Sequence, residues 1–72
     1  MTEFDQLREA LDGRSPDDIE RICDAGKWAI GLHEGKLRAS GEREVTHPLR
    51  SARILADLGL DADSIIAGIL HH

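Results

Sequence analysis

The chain has 72 residues, 40% of them hydrophobic and 32% charged, with a formal net charge of −5. That balance fits one globular domain and excludes a disordered segment. Fourteen acidic against nine basic side chains argue against a duplex nucleic-acid partner, which needs clustered Lys and Arg, and no apolar run reaches the roughly 18–20 residues of a membrane helix.

In chain order, the opening MTEFDQLREA is acidic and amphipathic, unlike a signal peptide. Phe4, Leu7 and Leu11 mark one helical face, and Gly13 stops the segment. A second helix starts at SPDD. Ser15 is placed to cap it, Pro16 suits its first turn, and Asp17 and Asp18 suit its positive end. Ile19, Ile22, Cys23, Gly26, Ala29, Ile30 and His33 then recur at spacings of three and four, which predicts a helix of more than four turns.

Residues 35–46 break the pattern, with Gly35 a natural helix stop and Gly41 free to take a left-handed backbone. A third helix opens near Thr46, with Pro48 in its first turn and a stripe of Leu49, Ala52, Leu55 and Leu58. Gly59 ends it, and Leu60 is placed to pack back as in a Schellman cap. DADS caps a fourth helix, IIAGILHH. The expectation is an all-α fold, a small bundle of about four helices forming a single domain over residues 1–72. With one Phe, one Trp and no Tyr, its core has to be aliphatic.

The fourth helix carries Ile65, Ile66, Ile69 and Leu70 on more than one side. A helix apolar most of the way round is normally central in a larger domain. The chain therefore reads as part of a larger helical unit, with these side chains left for a partner and a homo-oligomer as the expected state.

Single residues have plain structural readings. Trp28 is expected as a packing anchor, Cys23 as a small buried thiol of a cytoplasmic protein, and His33 as a capping or core residue. Arg50 and Arg53 lie opposite the helix-three leucines, on a solvated face. Lys36, Arg38 and Arg43 gather in EGKLRASGER, where a solvated loop is the commoner explanation and a small anionic ligand the alternative. Glu42 and Glu44 could form a carboxylate pair, and loop solubility explains them adequately. Two histidines invite a different question. If helices three and four form an antiparallel hairpin, His47 and His71 come to one end and could chelate a transition metal. Two ligands are fewer than the three of a catalytic zinc site, so incidental roles stand beside the metal reading. His72, and His71 with it, can equally be native or the start of a polyhistidine tail.

The stretch HEGKLRASGEREVTHPLRSARILADLGLDADSIIAGILHH resembles the opening of the HD hydrolase domain of RelA/SpoT homologues, the (p)ppGpp synthetase/hydrolase family. That family typically reads H-x-G-Q-x-R-K-S-G-E-P-Y-I-x-H-P, then a leucine-rich helix, then L-G-L-D and L-L-H-D. The matching positions here are His33, Gly35, Arg38, Ser40, Gly41, Glu42, His47, Pro48 and His71. The resemblance covers roughly residues 17–72. It implies the N-terminal part of an HD domain and a metal-dependent ppGpp 3′-pyrophosphohydrolase of the stringent response, with a guanosine nucleotide as partner. It implies that His47 and His71 bind a divalent cation, usually Mn²⁺, that Arg38 stacks on guanine, and that Ser40 lies beside the nucleotide.

The departures set the expected activity. His72 stands where the family has the aspartate of its His-Asp pair. EREV replaces EPYI, and the downstream acidic residues of the family have no counterpart within the 72 residues. An all-imidazole remnant suits Zn²⁺ or Ni²⁺ better than Mn²⁺. The chain alone is expected to be inactive, with no catalytic residue assigned. The alternative is a catalytically dead helical module that self-associates.

Overall fold

A computed structural model describes residues 2–33 and 46–71. Among these residues the chain forms four helices and no strand: α1 Glu3–Ala10, α2 Pro16–Leu32, α3 Thr46–Asp57 and α4 Ala62–Leu70. The expected all-α class and the order of the elements are both observed.

Local capping explains where each helix begins. Ser15 accepts a hydrogen bond from the Asp18 N–H, with Pro16 in the first turn. Asp61 accepts from the Ser64 N–H at the head of α4. At α1 the sequence reading missed a capping box. Thr2 accepts from the Asp5 N–H while the Asp5 carboxylate accepts from the Thr2 N–H, and the signal was an acidic residue three positions after a threonine. The end of α3 is a complete Schellman turn. The Gly59 N–H donates to the Ala56 carbonyl and the Leu60 N–H to the Leu55 carbonyl, with Gly59 at φ 79°. Only a residue without Cβ adopts that angle at no cost. Leu60 itself stays partly in solvent, at 39% exposure.

Helix α3 packs against both α1 and α4, α4 packs against α2, and α1 touches α2 only lightly. Cross-helix pairs fix the directions. Arg50 pairs with Glu3 and Arg53 hydrogen-bonds Gln6, so α1 runs alongside α3 in the same sense. These two arginines are exposed as expected, yet they reach α1 as well as solvent. Arg21, in the second turn of α2, pairs with Asp63, in the first turn of α4, so α4 begins beside the second turn of α2. Such exposed pairs set register more than stability.

The core is aliphatic. Leu7, Leu11, Ile22, Ile65 and Ile69 are the large residues at its centre, with Ala29, Ala52, Ala56 and Ala62 between the helices. Two expectations about side-chain direction are corrected. Leu58 is 71% exposed. Counting strictly by threes from Leu49 drifts around the helix, and nine residues make about two and a half turns, so Leu58 points away from the core. The buried stripe is Leu49, Ala52 and Ala56 instead. Trp28 is 54% exposed, because the face of α2 defined by Ile22, Gly26 and Ala29 lies nearly opposite it. On α4, Ile65 and Ile69 are buried within the chain and Ile66 is half-buried, leaving Leu70 as the exposed member of the set expected to await a partner.

Urea unfolding separates these positions. Ile65→Ala is expected to cost about 2–5 kcal/mol, while Leu58→Ala stays within about 0.5 kcal/mol of the parent. Equal losses at both would contradict the corrected stripe.

The acidic caps give a pH signature. The Ser64 hydroxyl and N–H hold the Asp61 carboxyl below its ordinary value, and the Thr2 backbone N–H and hydroxyl do the same for Asp5. A depressed carboxylate stabilises the fold above its unfolded pKa and loses that contribution as pH falls through the folded value. Stability is therefore expected to fall below about pH 4, and Asp61→Asn should shrink the fall. An unchanged acid limb in that variant would show that the cap is not responsible.

Candidate functional site

The two histidines singled out in the sequence are held by the α3–α4 hairpin. His47 lies in the first turn of α3, exposed, and is followed by Pro48 and Leu49, which are both buried. Those two side chains pin the turn that carries it. His71 is the exposed C-terminal cap of α4, and its N–H donates to the Ala67 carbonyl. Because residues 58–61 reverse the chain and α3 packs along α4, the first turn of α3 and the last turn of α4 lie at one end of the fold. His33 closes α2 at the same end. It is buried as expected of a cap or core residue, at 9% exposure, and its N–H donates to the Ala29 carbonyl.

Arg38 and Ser40, the expected nucleotide contacts, lie outside the described residues, as do Lys36, Glu42, Arg43, Glu44 and His72. Among the described residues, no group of three or more His, Cys, Asp or Glu side chains converges as a metal site. Of the residues expected to bind a cation, the described ones are His47 and His71. Two imidazole nitrogens fit part of a borderline-metal site and leave its remaining positions to other ligands.

Cys23 is buried on the core face of α2. Burial pushes its thiol pKa up, against the opposing pull of Arg8 and Lys27. A thiol held protonated is a core residue and a poor nucleophile, as expected from its neighbours. Sequence reasoning missed the ion pairs of Arg21 with Asp18 and Asp63 at the other end of the molecule. Their partners are 42 residues apart in one case, and no local pattern announces such a contact.

The all-helical fold is that of an HD-type domain. Residues 25–72 match the family described as HD domain, and the chain belongs to that family. It is 39% identical to the bifunctional (p)ppGpp synthase/hydrolase SpoT of Escherichia coli over 94% of its own length. It is 46% identical to a GTP pyrophosphokinase of Myxococcus xanthus over 75%, and 38% identical to a guanosine-3′,5′-bis(diphosphate) 3′-pyrophosphohydrolase of Vibrio cholerae over 94%. These relatives are members of the RelA/SpoT family that the loop and histidine motifs resemble. The chain spans 10%, 7% and 10% of their respective lengths. No helix among the described residues is long and apolar enough to cross a membrane.

Proposed function

We propose that the chain is the N-terminal portion, or a minimal form, of a ppGpp 3′-pyrophosphohydrolase domain acting in the cytoplasm. In this reading it contributes binding groups and is inactive on its own. What supports it is that the first turn of α3, with His47, and the last turn of α4, with His71, lie at the same end of the hairpin, inside the segment that matches the HD domain family. His47 and His71 would hold a divalent cation through neutral imidazole nitrogens. Arg38 would lay its guanidinium plane on the guanine ring, and Ser40 would sit beside the nucleotide. A bound cation supplies the charge that makes water nucleophilic near neutral pH. The residues at hand leave that chemistry incomplete. His72 stands where a carboxylate is usual, and no described carboxylate joins the histidine pair.

The test combines activity with binding. Purified chain incubated with ppGpp and Mn²⁺ is expected to release no pyrophosphate above background. Calorimetry should show weak Zn²⁺ or Ni²⁺ binding that drops about tenfold or more in His47→Ala, with Mn²⁺ weaker than either. Nucleotide binding should fall in Arg38→Ala. Robust Mn²⁺-dependent release defeats the claim of inactivity, and metal binding indifferent to His47→Ala defeats the ligand assignment.

A second reading, a self-associating helical module, is favoured by one observation. The Arg21–Asp63 pair brings those two positions of α2 and α4 together, and seven residues further along each helix stand Trp28 and Leu70. Trp28, Leu32 and Leu70 are each at least half exposed, and Ile66 is half-buried beside them. This apolar seam can be covered by a second copy around a two-fold axis. Sedimentation equilibrium at micromolar concentration is expected to give a dimer that Leu70→Glu dissociates without loss of helicity. A folded monomer of 7.9 kDa under those conditions rules this reading out.

A further inference from the structure

The contact between α1 and α2 is much smaller than those of α3 with α1 and α4 or of α4 with α2, and it leaves a groove. A cavity of about 370 Å³ opens there over Phe4, Ile19 and Cys23. It continues past Arg8 and Ile19 into a wider, shallower depression of about 850 Å³. The groove is built from one stripe of each helix. On α1 the lining residues Phe4, Asp5, Arg8, Glu9 and, just beyond the helix, Asp12 recur at helical spacing; on α2, Ile19, Glu20, Cys23, Asp24 and Lys27 do the same.

The floor is apolar and the walls are acidic. Asp5, Glu9, Asp12, Glu20 and Asp24 outnumber Arg8 and Lys27 along the lining. The excess of carboxylates in this groove therefore accounts for much of the chain's formal charge of −5. These acids lie outside the histidine end, and neither the proposed hydrolase site nor the α2–α4 seam uses them. The groove runs along two helices and is open to solvent, a shape that admits an elongated ligand. No group of three or more metal-binding side chains converges among the described residues, so the acids form a lined trough and not a cation cage.

We propose that the α1–α2 groove is a docking site for a basic amphipathic helix. Such a helix would set apolar side chains at spacings of three, four and seven onto Phe4, Ile19 and Cys23, in the helix-in-groove mode. Its Lys or Arg residues would meet Glu9 and Asp12 on one wall and Glu20 and Asp24 on the other. The complementary charge gives the orientation and the on-rate, and the apolar floor holds the ligand once seated.

The chain carries its own reporter, since Cys23 is the single cysteine and lies in the groove floor. The probes are a synthetic Leu/Lys helix of about 14 residues with its leucines on one face, a scrambled peptide of identical composition, and a Leu/Glu version. The full 72-residue chain is titrated with each, by calorimetry and by the rate at which Cys23 reacts with a thiol reagent. The amphipathic Leu/Lys helix is expected to bind and to slow the Cys23 reaction about tenfold at saturation. Glu9→Lys combined with Glu20→Lys should weaken binding about tenfold or more. Both positions are exposed, so this variant keeps the fold. Ile19→Glu should abolish protection of Cys23 while leaving circular dichroism unchanged. Equal binding by the scrambled peptide would reduce the effect to general attraction to an acidic protein and overturn the proposal. Binding of the Leu/Glu helix, or indifference to the double charge reversal, would overturn it as well.

Discussion

The hydrogen bond from the Leu60 N–H to the Leu55 carbonyl closes α3 behind its last residue, Asp57, and the Asp61 carboxylate opens α4 at Ala62. Between them Gly59 takes the left-handed backbone that turns the chain through a reversal. Everything at the candidate site depends on this connection. It is too short to let α4 go anywhere except back along α3, which sinks Ile65 and Ile69 against Ala52 and Ala56. It also sets His71 at the same end as His47. A longer or uncapped connection would leave both histidines on their helices and remove the reason for them to meet.

Close approach between helices depends on residues with little side chain. A Cβ at Gly26 would stand 3.1 Å from the Phe4 ring and 3.5 Å from a Leu49 methyl, and one at Gly68 would stand 2.8 Å from a Leu55 methyl. The only Phe therefore packs over a glycine, and Leu55 lies across another. With Ala29, Ala52, Ala56 and Ala62 filling the spaces between, the domain builds a dense interior without large aromatics. Dense packing of this kind recovers dispersion contacts that a small core cannot otherwise collect.

The helices were legible because their ends are written in local chemistry. Ser15 with Pro16, Gly59 and the DADS turn each satisfy or release specific backbone groups, and each stands where the reading placed it. The faces were less legible. A stripe counted by threes is a fair guide over two turns and misleads over three, which is why Leu58 was expected inside and lies outside. Trp28 failed for a related reason. Hydrophobicity marks a residue that gains from burial, and position around the helix decides whether it is buried. The reading of α4 as unsatisfied on several sides overlooked that α2 and α3 both pack on it. That His47 and His71 fall at the same end of the fold was legible in spacing alone, since they bracket two helices and one turn. The pairing of Arg21 with Asp63 was not, because it depends on how two helices of distant sequence come to lie side by side.

The two ends of the molecule differ in chemistry. At the histidine end are His47, His71 and the buried His33; at the other, Arg21 is held between Asp18 and Asp63. The α1–α2 groove connects these regions along one side, and its Phe4 end abuts the histidine end. There Phe4 and Leu49 both rest on Gly26, and Leu49 is two residues from His47. A side chain at Gly26 would meet both, so the absence of one lets α1 and the first turn of α3 close on the same point of α2. The small residue in the middle of α2 thus serves the groove and the hairpin end together, since both are built against it.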